Sequence, residues 1–455
     1  LAWPATEVRS FALMGLLTTL AWLALVATLE KGGLWRPLLA ALALAAAGPA
    51  FARPEACREI PPGANLQQAV DAAPPGSSLC LAPGDYAGPV RIATPLTLEG
   101  PRDAVIRSSG EGTTVRLEGE GGGLLGVTID GSGGRYDLLD GAVHVTGRGG
   151  RVEGVLVRNA VFGILVERAT NATVRGNHVL GGAGQTLGLR GDGIRLWETY
   201  DSTIEDNRLE DSRDVVLWYA SRNRVAGNRI ERGRYGAHLM YSHDNQLVGN
   251  RFIGNVTGLF VMYSRDVEIR DNVFADSGGA AGMGLGVKES GNLRVIRNLF
   301  VHNTIGVYVD TSPLWPDDRN RFEGNLFRLN GIAVSFLGRA SGNEFRGNGF
   351  RDSQVQVQVD GRGDAREALW RGNEFDDYAG YDLAGDGTGD VPYELRSLTS
   401  DLVAESPALA FFRGTPAFAL AEAIGRIVPL FEPRLVLSDP EPRMARVAWE
   451  GPGAD

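Results

Sequence analysis

The sequence predicts an all-β protein built as a right-handed parallel β-helix, a solenoid of stacked coils of about 22–24 residues each. Two short phrases alternate along most of the chain, one centred on an asparagine and one apolar. Glycine supplies 62 of 455 residues without the three-residue period of collagen, which suits many evenly spaced turns. We expect a helical cap at the N-terminal end of the solenoid and a helical and extended docking segment at its C-terminal end.

The asparagine phrase occurs in forms such as IEDNRLE, VAGNRIE and LVGNRFI. Stacked coils lie about 4.8 Å apart, so equivalent residues of successive coils become direct neighbours. We expect the asparagines to turn inward as a ladder that bonds to itself and to turn backbone. Hairpin turns of an antiparallel sandwich do not explain one asparagine at one phase of nine units. The asparagines are Asn177, Asn207, Asn228, Asn250, Asn272, Asn298, Asn325, Asn348 and Asn373.

The apolar phrases alternate with period two, as in GIRLWETY, GAHLMYS, GLFVMYS and GVYVDTS, and predict short strands with one buried face. The repeats contain no helix-length segment for a βαβ crossover, which excludes a Rossmann fold or a (β/α) barrel. A coil this short buries its apolar face only by stacking on its neighbours. The pattern therefore predicts one continuous core along the solenoid.

The first 52 residues are interpreted as targeting sequence. A short apolar run follows Lys31 and Arg36 and ends in AFA, which predicts a signal peptide cleaved before Arg53. The apolar run Phe11–Leu29 is long enough to span a bilayer. Because the chain opens with Leu, we interpret that run as a start placed too far upstream, and a transmembrane anchor is the alternative. Under both interpretations the remainder lies outside the cytoplasm.

The exported part divides into an N-terminal cap (53–78), the solenoid (79–380) and a C-terminal segment (381–455). Leu66–Ala73 has the apolar spacing of a helix and precedes the first strands, so it is assigned to the cap. The two cysteines, Cys57 and Cys80, flank it, and an exported compartment permits a disulfide between them. A two-cysteine metal site is the weaker alternative because no histidine lies beside them.

The period-two phrases also predict which side chains point outward. In GAHLMYS, Ala237 and Leu239 face the core while His238 and Met240 face out. Two neighbouring outward columns follow from this assignment, and their apolar content is unusual for a surface that faces water. One column contains Trp197, Trp218, Met240, Met262 and Lys288, and the other contains Arg195, Val216, His238 and Phe260.

Two explanations of these columns remain open from the residues alone. Trp197 and Trp218 are typical of protein interfaces, so a partner protein can cover the stripe. Alternatively, the thioethers of Met240 and Met262 with the imidazoles of His238 and His243 form a set of ligands for Cu(I), which prefers soft donors. Composition alone favours an interface or simple packing over a metal site.

Two further candidates lie after the last coil. Asp382, Asp386 and Asp390 are separated by glycines in one loop and suggest a Ca²⁺ site, although the EF-hand spacing is missing and a pair of Asp–Gly turns explains them equally. The segment from Pro416 to Val428 predicts an amphipathic helix that either caps the solenoid or docks on a membrane partner. Its apolar side is assigned to Phe418, Leu420, Ala421, Ile424 and Val428.

Composition and the outward columns restrict the function. The net charge of −10 and pI near 5.2 argue against a nucleic-acid partner and leave a basic protein or a cation possible. Polysaccharide enzymes on this fold need acid and base groups that converge in a groove. Here Glu198 and Glu289 bracket a column of tyrosines too far apart to act as a pair, and His144 and His178 are isolated. We therefore expect a non-catalytic protein, with a polysaccharide-active or carbohydrate-binding β-helix as the alternative.

Longer motifs in the chain resemble the NosD family. They are GRYGAHLMYSHDNQLVGNRF, TGLFVMYSRDVEIRDNVF, GLGVKESGNLRVIRNLF and IGVYVDTSP, followed in the tail by YDLAGDGTGDVPY, PAFALAEAIGRIVPLFEP and LSDPEPR. The resemblance runs in order over roughly 55–445 of the sequence. The β-helix repeat alone is a weak family signal, whereas the two MYS phrases, the KES phrase and the tail are specific.

The resemblance implies a periplasmic component of an ABC transporter that assists assembly of the copper–sulfur CuZ centre of nitrous oxide reductase. It implies a membrane permease (NosY-like) with its ATPase (NosF-like), a copper chaperone (NosL-like) and the apo-reductase as partners. Under this resemblance, His238, Met240 and Met262 become candidates for transient Cu(I) binding, and the tryptophans become a partner surface. The helix from Pro416 becomes a permease contact.

Overall fold

The computed structural model describes residues 57–360, 364–412, 415–427, 433–449 and 451. The targeting segment predicted for residues 1–52 and the predicted helix residue Val428 lie outside the described residues. Within the described ranges, no helix is long and apolar enough to cross a membrane.

The chain winds through three parallel sheets, which we call sheet 1, sheet 2 and sheet 3 in the order in which each coil visits them. Sheet 1 has 14 strands: Arg58–Ile60, Ser78–Leu81, Thr97–Glu99, Gly123–Leu125, Arg151–Glu153, Thr173–Arg175, Thr203–Glu205, Arg224–Ala226, Gln246–Val248, Glu268–Arg270, Arg294–Ile296, Asn320–Glu323, Asn343–Arg346 and Leu369–Arg371. Sheet 2 has 13 strands: Gly84–Ala87, Ala104–Arg107, Thr128–Asp130, Leu156–Arg158, His178–Leu180, Arg208–Glu210, Arg229–Glu231, Arg251–Ile253, Val273–Ala275, Leu299–Val301, Leu326–Arg328, Gly349–Arg351 and Glu374–Phe375.

Sheet 3 has the longest strands and carries the candidate site. Its 12 strands are Val90–Ile92, Val115–Leu117, Gly141–Arg148, Phe162–Thr170, Ile194–Trp197, Asp214–Trp218, Tyr235–Met240, Thr257–Met262, Met283–Lys288, Ile305–Asp310, Ile332–Leu337 and Val355–Asp360. Every strand of the three sheets pairs in parallel with the equivalent strand of the next coil. The predicted right-handed parallel β-helix is confirmed.

The core is a column of apolar side chains inside the coils. Branched and aromatic residues from all three sheets are fully buried there, and each stacks on its equivalent one coil away. Sheet 2 contributes a run of stacked rings with centroids about one coil apart, from Phe252 to Phe274 at 5.1 Å and onward to Phe375. Such stacking follows from the parallel register, since identical positions of successive coils lie directly above one another.

The asparagine ladder is present as the sequence predicts. In the central part, the backbone N–H and the side-chain amide of Asn228 both donate to Oδ1 of Asn250, each at 3.0 Å. The Asn228 amide also donates to the carbonyl of Ile204 at 2.8 Å. The asparagines are buried, so these bonds replace water for polar groups inside the turn. Shorter ladders of asparagine and of serine fill the other turns, including Asn303 with Asn330 and Ser242 with Ser264.

The N-terminal cap contains the predicted helix, α1 (Leu66–Asp71), whose Leu66 and Val70 are buried against the first coils. Asn65 caps the helix by accepting a hydrogen bond from the N–H of Gln68 at 3.0 Å. Sheet 1 begins before the helix, because Arg58–Ile60 pairs with Ser78–Leu81. In the structure both cysteines of the chain are disulfide-bonded.

The C-terminal segment forms an antiparallel pair, Tyr393–Ser397 with Arg434–Asp439, and two helices, α2 (Leu398–Glu405) and α3 (Pro416–Ile427). Short 3₁₀ turns lie at Leu187–Leu189, Ala365–Glu367 and Pro407–Phe412. The pair closes the solenoid. The ring of Tyr393 stacks on Phe375 at 3.8 Å, and the buried carboxylate of Asp439 accepts from the backbone and the amide of Asn373 at 2.9 and 2.8 Å. Asp439 therefore ends the asparagine ladder with an acceptor.

Candidate metal-binding and partner surface

The outer face of sheet 3 has the predicted register. Trp197 pairs with Trp218, Trp218 with Met240, Met240 with Met262 and Met262 with Lys288 on successive strands. We call these five residues the stripe. Arg195, Val216, His238 and Phe260 form the neighbouring column one position along the strands. The stripe ends where Lys288 pairs with the carboxylate of Asp310 at 3.3 Å.

The stripe is half-buried rather than open to solvent, and His238 beside it is buried. More exposed aromatic surface lies at the following turn, where Tyr219, Tyr241 and Tyr263 stack at 5.4 and 4.9 Å. Tyr219 and Tyr241 are each 42 % exposed. All three have positive φ, near 50°, a conformation that costs an ordinary side chain roughly 1–2 kcal/mol. The equivalent residues Glu198, Glu289 and Thr311 have the same positive φ, so the turn itself imposes this conformation.

A nitrogen and a sulfur donor meet at the centre of this face. Nε2 of His238 lies 3.4 Å from Sδ of Met262 on the next strand. Zinc in proteins forms bonds of about 2.0 Å to nitrogen and about 2.3 Å to sulfur. With bonds of these lengths, two ligand atoms at this separation fit one tetrahedral metal centre. Imidazole and thioether are also donors that Cu(I) accepts. The pair therefore has the geometry and the chemistry of half a soft-metal site.

The surroundings of His238 keep its imidazole neutral. Its ring packs against Tyr235 at 5.0 Å and edge-on against Trp218 at 5.6 Å. Burial lowers the pKa of His238 from 6.5 to about 4, while the nearby Asp214 carboxylate opposes this effect and Arg234 adds to it. A metal ligand must be deprotonated, so burial prepares His238 for binding near neutral pH.

The other predicted metal ligands are less closely joined. Met240 lies between Trp218 and Met262 in the stripe, two residues after His238 on the same strand and opposite Met262 on the next. His243 lies in the turn after the strand, where its Nδ1 accepts the backbone N–H of Arg265 at 3.1 Å. Its contacts thus belong to the turn. The sulfur of Met283, a residue that the period-two phrases did not single out, lies close to Gly286, where an added Cβ would be 2.9 Å from it and would also meet the Phe260 ring.

A buried ion-pair network holds this face in place, and sequence reasoning missed it. Arg213 donates to the fully buried carboxylate of Asp192 at 2.8 and 3.0 Å, and Arg234 binds Asp214. Burial raises the pKa of Asp192. The guanidinium of Arg195, which also reaches Asp192, lies over the rings of Trp197 and Trp218 at 5.0 and 5.2 Å. The network therefore fixes the two tryptophans.

The structure corrects the view that His144 and His178 are isolated. Nδ1 of His144 lies 3.0 Å from the Arg116 guanidinium, and its Nε2 lies 3.2 Å from the Glu167 carboxylate, on the same outer face. His178 bonds to Glu210 at 3.0 Å. Parallel register created both contacts, since the partners stand on neighbouring strands rather than close in sequence.

The loop carboxylates of Asp382, Asp386 and Asp390 accept hydrogen bonds from backbone N–H groups of the same loop. Asp382 accepts the N–H groups of Gly385 and Gly387 at 2.6 and 2.8 Å, and Asp386 accepts that of Thr388 at 2.8 Å. In the described part of the chain these three carboxylates do not converge within 4.8 Å of one another. This arrangement favours the Asp–Gly turn explanation over a calcium site.

Helix α3 turns its polar side towards α2 and leaves apolar side chains exposed on the other side. Glu422 on its polar side bonds to Ser397 Oγ and to the Thr399 N–H at the start of α2, at 2.5 and 3.0 Å. The other side is exposed, with Leu420 and Ile424 at 62 and 41 %.

The assignment of Phe418 to the same apolar side is wrong. At 3.6 residues per turn, Phe418 lies about 200° from Leu420, and its ring packs towards Phe412 at 6.4 Å. Phe411, at 85 % exposed, and Phe412, at 45 %, lie just before the helix. We call the four exposed side chains of Phe411, Phe412, Leu420 and Ile424 the tail patch. Exposed apolar side chains of this kind are candidates for an interaction site.

The fold and this face define a right-handed parallel β-helix protein that carries a soft-donor pair inside an aromatic outer surface. The family model described as "Periplasmic copper-binding protein (NosD)" matches residues 171–380, which include the whole stripe. Proteins named "Probable ABC transporter binding protein NosD" from Pseudomonas aeruginosa and Stutzerimonas stutzeri are 27 and 26 % identical over 400 residues. These alignments cover 77 % of this chain and 84 and 83 % of the relatives. The resemblance to NosD that the sequence motifs indicated is confirmed.

Solved structures agree on the fold. The catalytic domain of a GH87 α-1,3-glucanase in complex with tetrasaccharides superposes with a TM-score of 0.50 at 11 % identity, covering 71 % of each chain. At this identity the likeness extends to the β-helix architecture alone.

Proposed function

We propose that the protein is a non-catalytic, periplasmic, copper-binding component of an ABC transporter that serves the maturation of nitrous oxide reductase. The observation that carries the proposal is the pair formed by His238 Nε2 and Met262 Sδ at 3.4 Å, with Met240 on the strand of His238 and opposite Met262. A neutral imidazole with thioethers suits Cu(I), and two or three such ligands permit release as well as binding. The description of the matching family model supports copper, and the names of the NosD relatives support the transporter.

Copper in this proposal is cargo destined for the CuZ centre, delivered with or without a sulfur species. The exposed tyrosines beside the stripe offer a docking surface for the protein that gives or receives the metal, a copper chaperone or the apo-reductase. Tyrosine and tryptophan are enriched at such interfaces. The tail patch, which points away from its own supporting helix, is proposed as the contact with the transporter's permease.

The tyrosine geometry argues against the carbohydrate alternative. Aromatic residues bind sugars with free ring faces, but here the planes of Tyr219 and Tyr241 differ by 5° and those of Tyr241 and Tyr263 by 13°, so their faces cover one another. The ladder thus presents ring edges. An adjacent protein surface is the better match for edges and hydroxyl groups.

Copper binding is tested by replacing Met240 and Met262 together with leucine and titrating the purified protein with Cu(I) under anaerobic conditions. Leucine keeps the side-chain volume, so folding is retained while the affinity falls by about tenfold or more. Met444→Leu, a half-exposed methionine of the tail, is the matched control and leaves the affinity unchanged. Unchanged affinity in the double variant, or normal reductase maturation in cells that carry it, would contradict the metal assignment.

The permease contact is tested by Leu420→Asp combined with Ile424→Asp. We expect the variant to bind copper as the parent does but to lose co-purification with the detergent-solubilised permease and ATPase. Leu383→Asp is the control, because Leu383 is 83 % exposed on a different loop. Retained co-purification by the double variant would place the transporter contact elsewhere.

A further inference from the structure

Trp218 makes a contact with His238 that has consequences for metal binding. Its indole N–H donates to Nδ1 of His238 at 3.3 Å. An indole nitrogen is a donor only, so the imidazole nitrogen that faces it must be the unprotonated one. In a neutral imidazole the proton then resides on the other nitrogen, the one 3.4 Å from Met262 Sδ.

The observed ring orientation is the one that makes both contacts, because turning the imidazole over would place carbon atoms against the indole N–H and against the Met262 sulfur. In this orientation the nitrogen that faces Met262 carries the hydrogen. The hydrogen therefore occupies the position from which a metal ion would be bound. A metal can bind there only if the proton moves to the nitrogen that now faces Trp218.

Such a move leaves the imidazole neutral and places two N–H donors opposite each other. The hydrogen bond from Trp218 is then lost, and the indole must turn away or find another acceptor. Trp218 is held in its present position by Arg195, whose guanidinium lies 5.2 Å from the ring, and by edge contact with Trp197 at 5.7 Å.

Resting on the proposed function, we propose that Trp218 is a positioning residue that controls metal loading of His238 by fixing its tautomer. While the indole N–H bonds to His238, the nitrogen facing Met262 is blocked by its own hydrogen. Displacement of the indole frees that nitrogen. Trp218 is half-exposed, and Trp197, which contacts it, also contacts Tyr219 at 5.5 Å. A partner docked on the tyrosines is therefore well placed to move it.

The test compares Trp218→Phe with Trp315→Phe in the purified protein. Phenylalanine keeps an aromatic ring in the stripe but removes the N–H, so the apo state loses the bond that competes with the metal. We expect Cu(I) affinity, measured by competition with a chromogenic chelator, to rise by about 5-fold, which corresponds to about 1 kcal/mol for one neutral hydrogen bond. Trp315→Phe leaves the affinity unchanged, since Trp315 is an exposed tryptophan outside the stripe.

A spectroscopic readout separates this role from simple packing. In ¹⁵N-labelled protein, the indole N–H resonance of Trp218 shifts when Cu(I) is added, whereas that of Trp315, an exposed tryptophan outside the stripe, does not. Unchanged or weaker affinity in Trp218→Phe, or an unshifted Trp218 resonance on loading, overturns the proposal. His238→Ala separates the proposed copper site from the proposed control of the His238 tautomer. If this variant still binds Cu(I), the proposed copper site itself is wrong. If it abolishes binding while Trp218→Phe has no effect, only the tautomer control fails.

Discussion

The asparagine ladder and the stripe are both columns that repeat once per coil, but they follow opposite rules. In the ladder the side chains are identical and buried, and their bonds are satisfied within the turn, as Asn250 illustrates with four hydrogen bonds through its side chain. In the stripe the side chains change from coil to coil, and beside it a buried imidazole adjoins a thioether and tyrosines occupy costly backbone conformations. Regular columns hold the solenoid together, whereas the irregular column and its neighbours form the binding surface that we propose.

The largest loss of stability is expected when one asparagine is removed from the ladder. Asn250→Ala deprives the backbone N–H and the amide of Asn228 of their acceptor in a buried turn. Unsatisfied buried groups cost about 1–3 kcal/mol each, so the free energy of unfolding falls by about 3 kcal/mol or more. Urea denaturation measures it.

Gln246→Ala, an exposed position of the same coil, is the control and leaves the urea midpoint unchanged. The copper affinity of Asn250→Ala, measured at low denaturant, stays at the parent value. A stability loss of the same size in both variants would contradict the role of the ladder.

A second effect on stability, of intermediate size, is expected at His238 beside the stripe. The folded-state pKa of His238 is lowered from 6.5 to about 4, so between these values the unfolded chain binds more protons than the folded protein. The free energy of unfolding is therefore greatest above pH 6.5, decreases as the pH falls towards 4, and changes no further below it on account of this group. His238→Phe removes that part of the pH dependence.

The readout is the urea midpoint from pH 7 to pH 4 in the apo-protein. His302→Gln is the matched control, because the His302 side chain is 75 % exposed and pairs with Asp276 on the surface. Parallel pH profiles for the parent and His238→Phe would show that the buried imidazole does not contribute to the pH dependence of stability.

The smallest effect on stability is expected at the tyrosines. Replacing Tyr219, Tyr241 and Tyr263 with asparagine relieves backbone strain, because asparagine tolerates positive φ, and removes ring stacking. The two changes offset each other to within about 1 kcal/mol. Binding to the metal-exchange partner, measured with the purified apo-reductase and with the copper chaperone, is lost.

Thr311→Asn, at the equivalent turn position of a coil outside the tyrosine ladder, is the control for both measurements. If the triple variant binds both partners normally, the tyrosines are not the docking surface. A large loss of stability would instead make them a structural ladder like the asparagines.

Periodicity predicted what depends on register and missed what depends on packing between coils. The period-two phrases placed His238, Met240 and Met262 on one outer face, because strand alternation and coil stacking determine which residues are neighbours. They did not reveal that Trp218 and Tyr235 bury His238, since that depends on the rotamers of side chains from two neighbouring coils. The same limit hid the pairing of His144 with Glu167, whose sequence separation of one coil gives no local signal.

The tail shows a different limit. The apolar composition of α3 was visible in the sequence, but the assignment of Phe418 to the face of Leu420 ignored the 100° turn per residue. The capping role of Asp439 was not visible either, because an aspartate beyond the last repeat has the same appearance as any polar turn residue. Its function as the final acceptor of the ladder depends on where the antiparallel pair returns to the solenoid.

The most direct test of the central claim is X-ray absorption spectroscopy at the copper edge of the Cu(I)-loaded protein. The account predicts a low-coordinate Cu(I) centre with both nitrogen and sulfur neighbours, and loss of the sulfur scattering when Met240 and Met262 are replaced with leucine. A centre with only oxygen and nitrogen neighbours, or sulfur scattering that persists in the double variant, would contradict the assignment of the metal to this face.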